Sequence, residues 1–507
     1  RLFLYGLLWI LPKSILWGRR AANRGEVKKI VKNKECKKRD VVCRKIIEYG
    51  ILGLIVFSPL PAASVNEWSI LVIQLTVLFL LAAYFVMEEK PQTNKLLSFS
   101  MKWPRILFFS LFIFIFIQVI PLPKFLVKII SPSAYSFQKN FFPDFLNTKF
   151  MSLSLIPSHT LKQGLELLSY FLLGFLIIKT VTERRQIMRI FSVLIAMGVF
   201  EAFYGMFELY NKNPRILFYK KIHYLDSVTG TFVNQNHLSG FLEMIIPLTI
   251  GLIIARINLF SLRGMGWRRK LLKLSEKGLS TNLFIFLSII VMAVAIIFSR
   301  SRSGIFLLIF TLLLFFELTT LYLGRNEEQK KWIKNFLKVV FLFITFISLY
   351  IGIGAMVERF ALDKFLQEER PIYWKNTIGI FTDYPLFGTG LGTFPSLYPD
   401  MEKGGQLMGI DHAHNDYLEY LSELGLIGMI LLLGGILYMV INSFLVWRER
   451  KHPEMKGLAL GGIISIICIM LHSITDFNLH IPANMLLFSV VLSLTVTTAF
   501  YKKKETK

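Results

Sequence analysis

Long apolar runs alternate along the chain with short, mostly basic connectors. A helix needs about 20 apolar residues to cross the hydrocarbon core of a bilayer. Runs of that kind stand at roughly 49–64, 67–87, 105–122, 164–180, 187–209, 238–256, 281–299, 303–323, 336–356, 416–446, 457–475 and 482–501. The pattern predicts an all-α polytopic membrane protein with about twelve transmembrane helices, because only internally bonded backbone can span lipid. The run at 416–446 exceeds one crossing, so its helix is expected to tilt or to continue beyond the bilayer. The chain divides into a basic N-terminal segment 1–48, a membrane region 49–501 and a basic tail 502–507. Residues 1–18 are apolar but broken by Pro12 and Lys13, with no small-residue cleavage site after them. They read as an interfacial helix, or as residues ahead of the true start.

Charge fixes an orientation for this pattern. Cytoplasmic loops are enriched in Lys and Arg. Segment 19–48 is dense in them, and so is every second connector, for example at Lys90, Lys95 and Arg105, at Arg184, Arg185 and Arg189, and at Arg448, Arg450 and Lys451. The opposite connectors are poor in positive charge or long; the long ones are 123–163, 210–237 and 357–415. The alternation predicts a multi-pass membrane protein with both termini cytoplasmic and a large extracytoplasmic loop, 357–415, before the tenth helix.

Composition narrows the function classes. The chain has 58 Lys+Arg against 33 Asp+Glu, a net charge of +25, yet it is 54% hydrophobic and only 18% charged. A nucleic-acid binder would be basic and polar; this chain is basic and apolar, so its partners are membrane lipids and no nucleic acid. Cys36, Cys43 and Cys468 make no disulfide framework and no zinc spacing.

Three polar clusters on the outward side are not explained by spanning a membrane. Ser299-Arg300-Ser301-Arg302-Ser303-Gly304 joins two apolar runs with almost no loop. Two arginines there either snorkel to headgroups or hold an anion, since guanidinium binds phosphate through two parallel hydrogen bonds. Arg370-Pro371-Ile372-Tyr373-Trp374 reads as an interfacial helix, with Arg370 either paired to a neighbouring glutamate or facing a ligand. The Gly388-Thr389-Gly390-Leu391-Gly392 stretch after it reads as a tight turn, not as a dinucleotide loop, because no strand precedes it. The third cluster is Asp411-His412-Ala413-His414-Asn415-Asp416, where a loop enters a helix. A His at a helix N-terminus is disfavoured as imidazolium and so can serve as a general base. His412 and His414 could instead take a metal with Asp411 or Asp416, but no third ligand is defined, so neither a metal nor a cofactor is expected. Arginines beside a basic His at an outer face suit displacement of a lipid-linked diphosphate by an acceptor hydroxyl.

These residues resemble the bacterial O-antigen ligase / O-antigen polymerase superfamily. Its signature is a His, a small polar residue, nine residues and then Gly-x-x-Gly, matched by His414-Asn415 and Gly425-Leu426-Ile427-Gly428. Ser301-Arg302-Ser303-Gly304 matches the family's Ser-Arg-x-Gly, and Arg370 precedes a family-like Tyr384-Pro385-Leu386-Phe387-Gly388-Thr389-Gly390. Gly230 to His237 and Asp476-Phe477-Asn478 are further family-like patches, and the good matches cover roughly 230–480. The resemblance implies a GT-C-like helical fold and a metal-independent, inverting glycosyltransferase using an undecaprenyl-diphosphate-linked glycan donor. It implies Arg302 and Arg370 as diphosphate ligands and His414 as catalytic. It leaves Arg300, His412, Asn415, Asn234, Asn236 and Asp476 as second-layer or acceptor-path residues. The acceptor implied is lipid A-core for a ligase of lipopolysaccharide biosynthesis, or another lipid-linked glycan for a polymerase. Protein O-glycosylation and bicarbonate transport are further readings within the superfamily; few ionisable residues inside the spans argue against transport.

Overall fold

A computed structural model describes residues 24–91, 94–141, 147–211, 214–257, 277–322, 369–401, 410–450 and 452–502, with a few positions between 331 and 346. Among them the chain is almost wholly helical, with only two-residue antiparallel strand pairs at 122–123 with 150–151 and at 215–216 with 219–220. The helices that organise it are α1 (Arg24–Phe57), α2 (Glu67–Val86), α3 (Lys102–Val119), α4 (Pro157–Thr180), α5 (Arg184–Leu209), α6 (Gln235–Ile257), α7 (Lys277–Ser299) and α8 (Arg302–Tyr322). They continue with α9 (Arg370–Asp383), α10 (Asp416–Arg448), α11 (Pro453–His472) and α12 (Pro482–Ala499). Among the described residues nine helices are long and apolar enough to cross a membrane: α2, α3 with the turn before it, α4, α5, α6, α8, α10, α11 and α12. The chain is thus an all-α polytopic membrane protein.

The departures from expectation are local. The first expected span, 49–64, is the end of the longer helix α1, which stops at Phe57 and gives way to a short 3-10 turn at Ala62–Ser64. The expected span 281–299 is the apolar part of α7. Most of the expected span at 336–356, the tail beyond Lys502 and residues 1–18 lie outside the described residues.

Helices α6, α11 and α12 form the centre. The apolar windows of α6 and α12 are wholly buried, against a third of the window in α2. α6 and α11 touch backbone to backbone: a Cβ on Gly251 would stand 2.5 Å from the Gly457 carbonyl, and one on Gly461 would stand 2.6 Å from the Pro247 carbonyl. Small residues give membrane helices this close approach, where dispersion replaces the missing hydrophobic drive.

The helix ends sort onto two faces. On the basic face Arg184 donates twice to Glu454 at 2.6 Å, Asn94 donates to the Phe500 carbonyl at 3.1 Å, and Arg450 reaches the Ala499 and Tyr501 carbonyls. On the other face the long connectors build a second small core from Val127, Met151, Leu153, Ile380, Phe394 and Tyr398. Residues 369–401 of the expected large loop therefore fold back as α9 and a short helix at Phe394–Met401 rather than lying free.

Helix α10 is broken at Gly425, whose φ of 63° is left-handed. The turn 385–390 inserts at this break and takes the freed backbone groups. Leu426 donates to the Pro385 carbonyl at 2.8 Å, Thr389 to Ser422 at 3.0 Å, and Gly390 to Glu423 at 2.9 Å. A Cβ on Gly425 would meet the Leu386 carbonyl at 2.4 Å, and one on Gly388 would meet that of Glu423 at 2.2 Å. Broken helices survive at membrane depth only where such partners exist. The length of the 416–446 run thus reflects a break, and the Gly-rich stretch is its filler.

Candidate active site

One short turn, Ser473 to Phe477 between α11 and α12, ties the site together. Each neighbour reaches it from a different element. Arg370, at the start of α9, donates through a terminal guanidinium nitrogen to the Thr475 carbonyl at 2.7 Å, and its other terminal nitrogen stands 3.8 Å from Asp476 Oδ2. Ser303, in the first turn of α8, shares a 2.8 Å hydrogen bond with the Thr475 hydroxyl. This holds the N-terminus of α8, where Arg302 sits, against the same turn. Asn236, at the start of α6, donates to Asp476 Oδ2 at 2.6 Å, and Asn234 accepts from the Asn236 amide at 2.9 Å.

His414 completes the cluster. Its Nδ1 lies 3.0 Å from Asp476 Oδ1. Its side chain keeps about 27% of its surface, whereas Asp476 keeps 1%. A carboxylate on Nδ1 fixes the proton there and leaves the lone pair on the outward Nε2. The ring is set by an edge-on contact with Phe477 at 4.8 Å and by Tyr373 at 6.2 Å. His414 itself has a φ of 49°, a left-handed backbone that costs a non-glycine residue about 1–3 kcal/mol. Asn415 then caps α10, accepting from the Leu418 amide at 3.1 Å, and a side-chain oxygen at an N-cap is what a helix start requires.

Asp476 is the electrostatic centre. Burial pushes its carboxyl up, but His237, His414 and Arg370 around it outweigh that and hold it well below the ordinary carboxylate range. His237 Nε2 stands 3.9 Å away, beyond hydrogen-bond distance.

A second His–carboxylate cluster lies on the other side of the Phe477 ring. His412 stacks face-on to Phe477 at 4.1 Å, and its Nδ1 is 2.7 Å from Glu419 Oε1. His480 binds Asp416 Oδ1 through Nδ1 at 2.6 Å and places Nε2 3.4 Å from Glu419 Oε1. Burial alone would lower His480, but Glu419 and Asp416 reverse this and raise it to about 10. The donor atoms of His412, Glu419 and His480 lie within 4.8 Å of one another and could hold a cation. The alternative metal set offered by the His-x-His spacing is not assembled: His412 and His414 face different carboxylates, and Asp416 turns to His480.

Most of the sequence candidates converge here. Arg300 turns elsewhere, forming an ion pair with Asp226 of the 210–237 connector. Arg370 reaches the 475–476 turn, and its neighbour Glu369 accepts from Tyr373. The interfacial reading of α9 fits only in part, since Tyr373 is buried against the site. Sequence reasoning did not single out His237 or His480. Their signals were the end of the family-like patch Gly230 to His237 for the first and a place shortly after Asp476 for the second.

Residues 287–433 match the family model described as O-antigen ligase. The match spans Arg302, Arg370, His414, Gly425 and Gly428 and stops short of Asp476. No curated protein matches the chain.

Proposed function

We propose that this chain, whose residues 287–433 match the O-antigen ligase family model, is a member of the O-antigen ligase / polymerase superfamily and a glycan ligase of a bacterial inner membrane. It moves a glycan from undecaprenyl diphosphate to a hydroxyl of lipid A-core at the extracytoplasmic face, in lipopolysaccharide biosynthesis. One observation carries the reading: His414 shares its carboxylate with Arg370, and both share their turn with the Arg302 helix start.

In this mechanism the acceptor hydroxyl gives its proton to His414 Nε2 as its oxygen attacks the anomeric carbon. The bond from that carbon to the diphosphate oxygen breaks, and its electron pair leaves with the diphosphate. Attack from the opposite side inverts the centre. Asp476 stays ionised and stabilises the imidazolium. Arg302 and Arg370 bind the diphosphate and supply the charge that stabilises it as it leaves, so the step proceeds without a metal. Asn234, Asn236 and Asn415 hold Asp476 and the helix starts that frame the site. The basic face is cytoplasmic in this orientation.

The test is transfer by purified full-length protein in detergent, with an undecaprenyl-diphosphate glycan and two competing acceptors, rough lipopolysaccharide and a second lipid-linked repeat. His414→Ala is the blank. Product on lipopolysaccharide supports the ligase. A ladder of lengthened lipid-linked glycan would make it a polymerase. Wild type equal to the blank with both acceptors would overturn the glycan-transfer reading.

A further inference from the structure

We propose that a lipid with an anionic headgroup binds this protein in a groove at the membrane face opposite the His414 site, between α3, α4, α10 and α12. The groove is lined by Phe108, Phe171, Phe175, Ile178 and Leu492, and its lining carries two cations, Arg105 and Lys179, and no acid. Helix α4 measures its depth. Gln163 lies at the site end, against Gly392 of the outer turn. Lys179 is sixteen residues further on, roughly 24 Å at 1.5 Å per residue. The cations therefore sit at headgroup level in the other leaflet, with the aromatic trough running inward from them.

The cations are held in place for a phosphate. The Arg105 guanidinium is anchored on its own backbone, donating to the Met101 carbonyl at 2.8 Å and to the Ser98 carbonyl at 2.6 Å. Those two bonds use two of its five N–H donors and fix the direction of the rest. The Lys179 ammonium sits over the Phe175 ring at 5.9 Å. Lys90 adds a third positive charge, within electrostatic reach of Lys179. Like charges gathered beside an apolar trough are stabilised by an amphipathic anion. A free phosphate would use the cations and not the trough, and a zwitterionic lipid would use the trough and gain little from the cations.

The experiment is native mass spectrometry of the full chain released from micelles containing equal amounts of phosphatidylglycerol and phosphatidylcholine. Retention should favour phosphatidylglycerol by roughly 30-fold, each of two cations contributing about fivefold. The double variant Arg105→Gln/Lys179→Gln should lose that preference while keeping glycan transfer. A retained ratio equal to the mixture, or an unchanged preference in the double variant, would overturn the proposal. Displacement of the lipid by inorganic phosphate at millimolar concentration would overturn it in favour of a free-anion site. Should the double variant not fold, wild type in rising KCl decides: a preference unmoved by salt means that the cations do not carry it.

Discussion

Two imidazoles flank the Phe477 ring, and the proposed function assigns chemistry to one and architecture to the other. His414 meets the ring edge-on and His412 meets it face-on. Each has its Nδ1 on a carboxylate, so ring geometry alone does not rank them. Their carboxylates do. Asp476, behind His414, is shared with Asn236 and Arg370, so this pair faces a guanidinium. Glu419, behind His412, is shared with His480 and the Ala413 amide, so this pair faces the start of α10. The carboxylate shared with a guanidinium is the one that the proposed function sets beside the diphosphate. One shared with a second imidazole closes a charge network and gives the fold a fixed register.

The sharpest way to break this contrast is at the His414 pair. His414→Ala should reduce transfer by about 10²–10⁴-fold, the usual worth of a positioned general base. Asp476→Asn should fall in the same range, because an amide in place of the carboxylate leaves the wrong ring nitrogen protonated. Initial rates with a defined lipid-linked donor check both. Near-normal rates in either would move the base elsewhere.

The arginines come next. Arg370→Lys and Arg302→Lys should each lose roughly 10–10²-fold and should not recover at saturating acceptor, because an ammonium keeps the charge and loses the planar fork. Full activity of either lysine variant would remove that residue from the diphosphate site. Arg300→Lys should be close to wild type, since Arg300 is spent on Asp226.

How much of this was legible beforehand follows from what a linear sequence can carry. The spans were legible because hydrophobic period and length are local properties, and the signature glycines were legible as a motif. Their physical role was not: Gly425 is required because the turn 385–390 enters the helix there, a contact between segments about 40 residues apart. Arg302, Arg370 and His414 were legible by type and place. The role of the turn 473–477 as their common anchor was not, because it gathers hydrogen bonds from α6, α8, α9 and the start of α10 at once. His480 was missed because a single imidazole after an apolar run has no pattern. Only the fold sets it against Asp416 and Glu419.

The buried network answers to pH. His480 is raised to about 10 by Glu419 and Asp416 against its burial. A raised folded-state value means stability that is fully present below the unfolded value near 6.5 and lost as pH climbs toward 10. Melting of the purified protein should therefore weaken between pH 7 and 10, by at most about 1.4 kcal/mol per pH unit from this group. His480→Gln should melt lower at pH 7 and show a flatter profile. An identical slope in the variant would mean that His480 is not the group responsible.

The smallest expected effect is the most diagnostic, because it separates the two imidazoles directly. His412→Ala removes a hydrogen bond to Glu419 and the face-on support of Phe477, and Phe477 in turn braces His414. Transfer should drop only a few-fold, through a loosened His414, while stability drops by about 1–3 kcal/mol for the partner left behind in the buried network. His412→Phe restores the aromatic support without the hydrogen bond, so it should recover transfer more than stability. Rates and melting of both variants, measured beside His414→Ala, decide the matter. If His412→Ala lost as much transfer as His414→Ala and His412→Phe recovered none of it, the base would be His412. The charge network around Glu419 would then be the reactive centre rather than the frame.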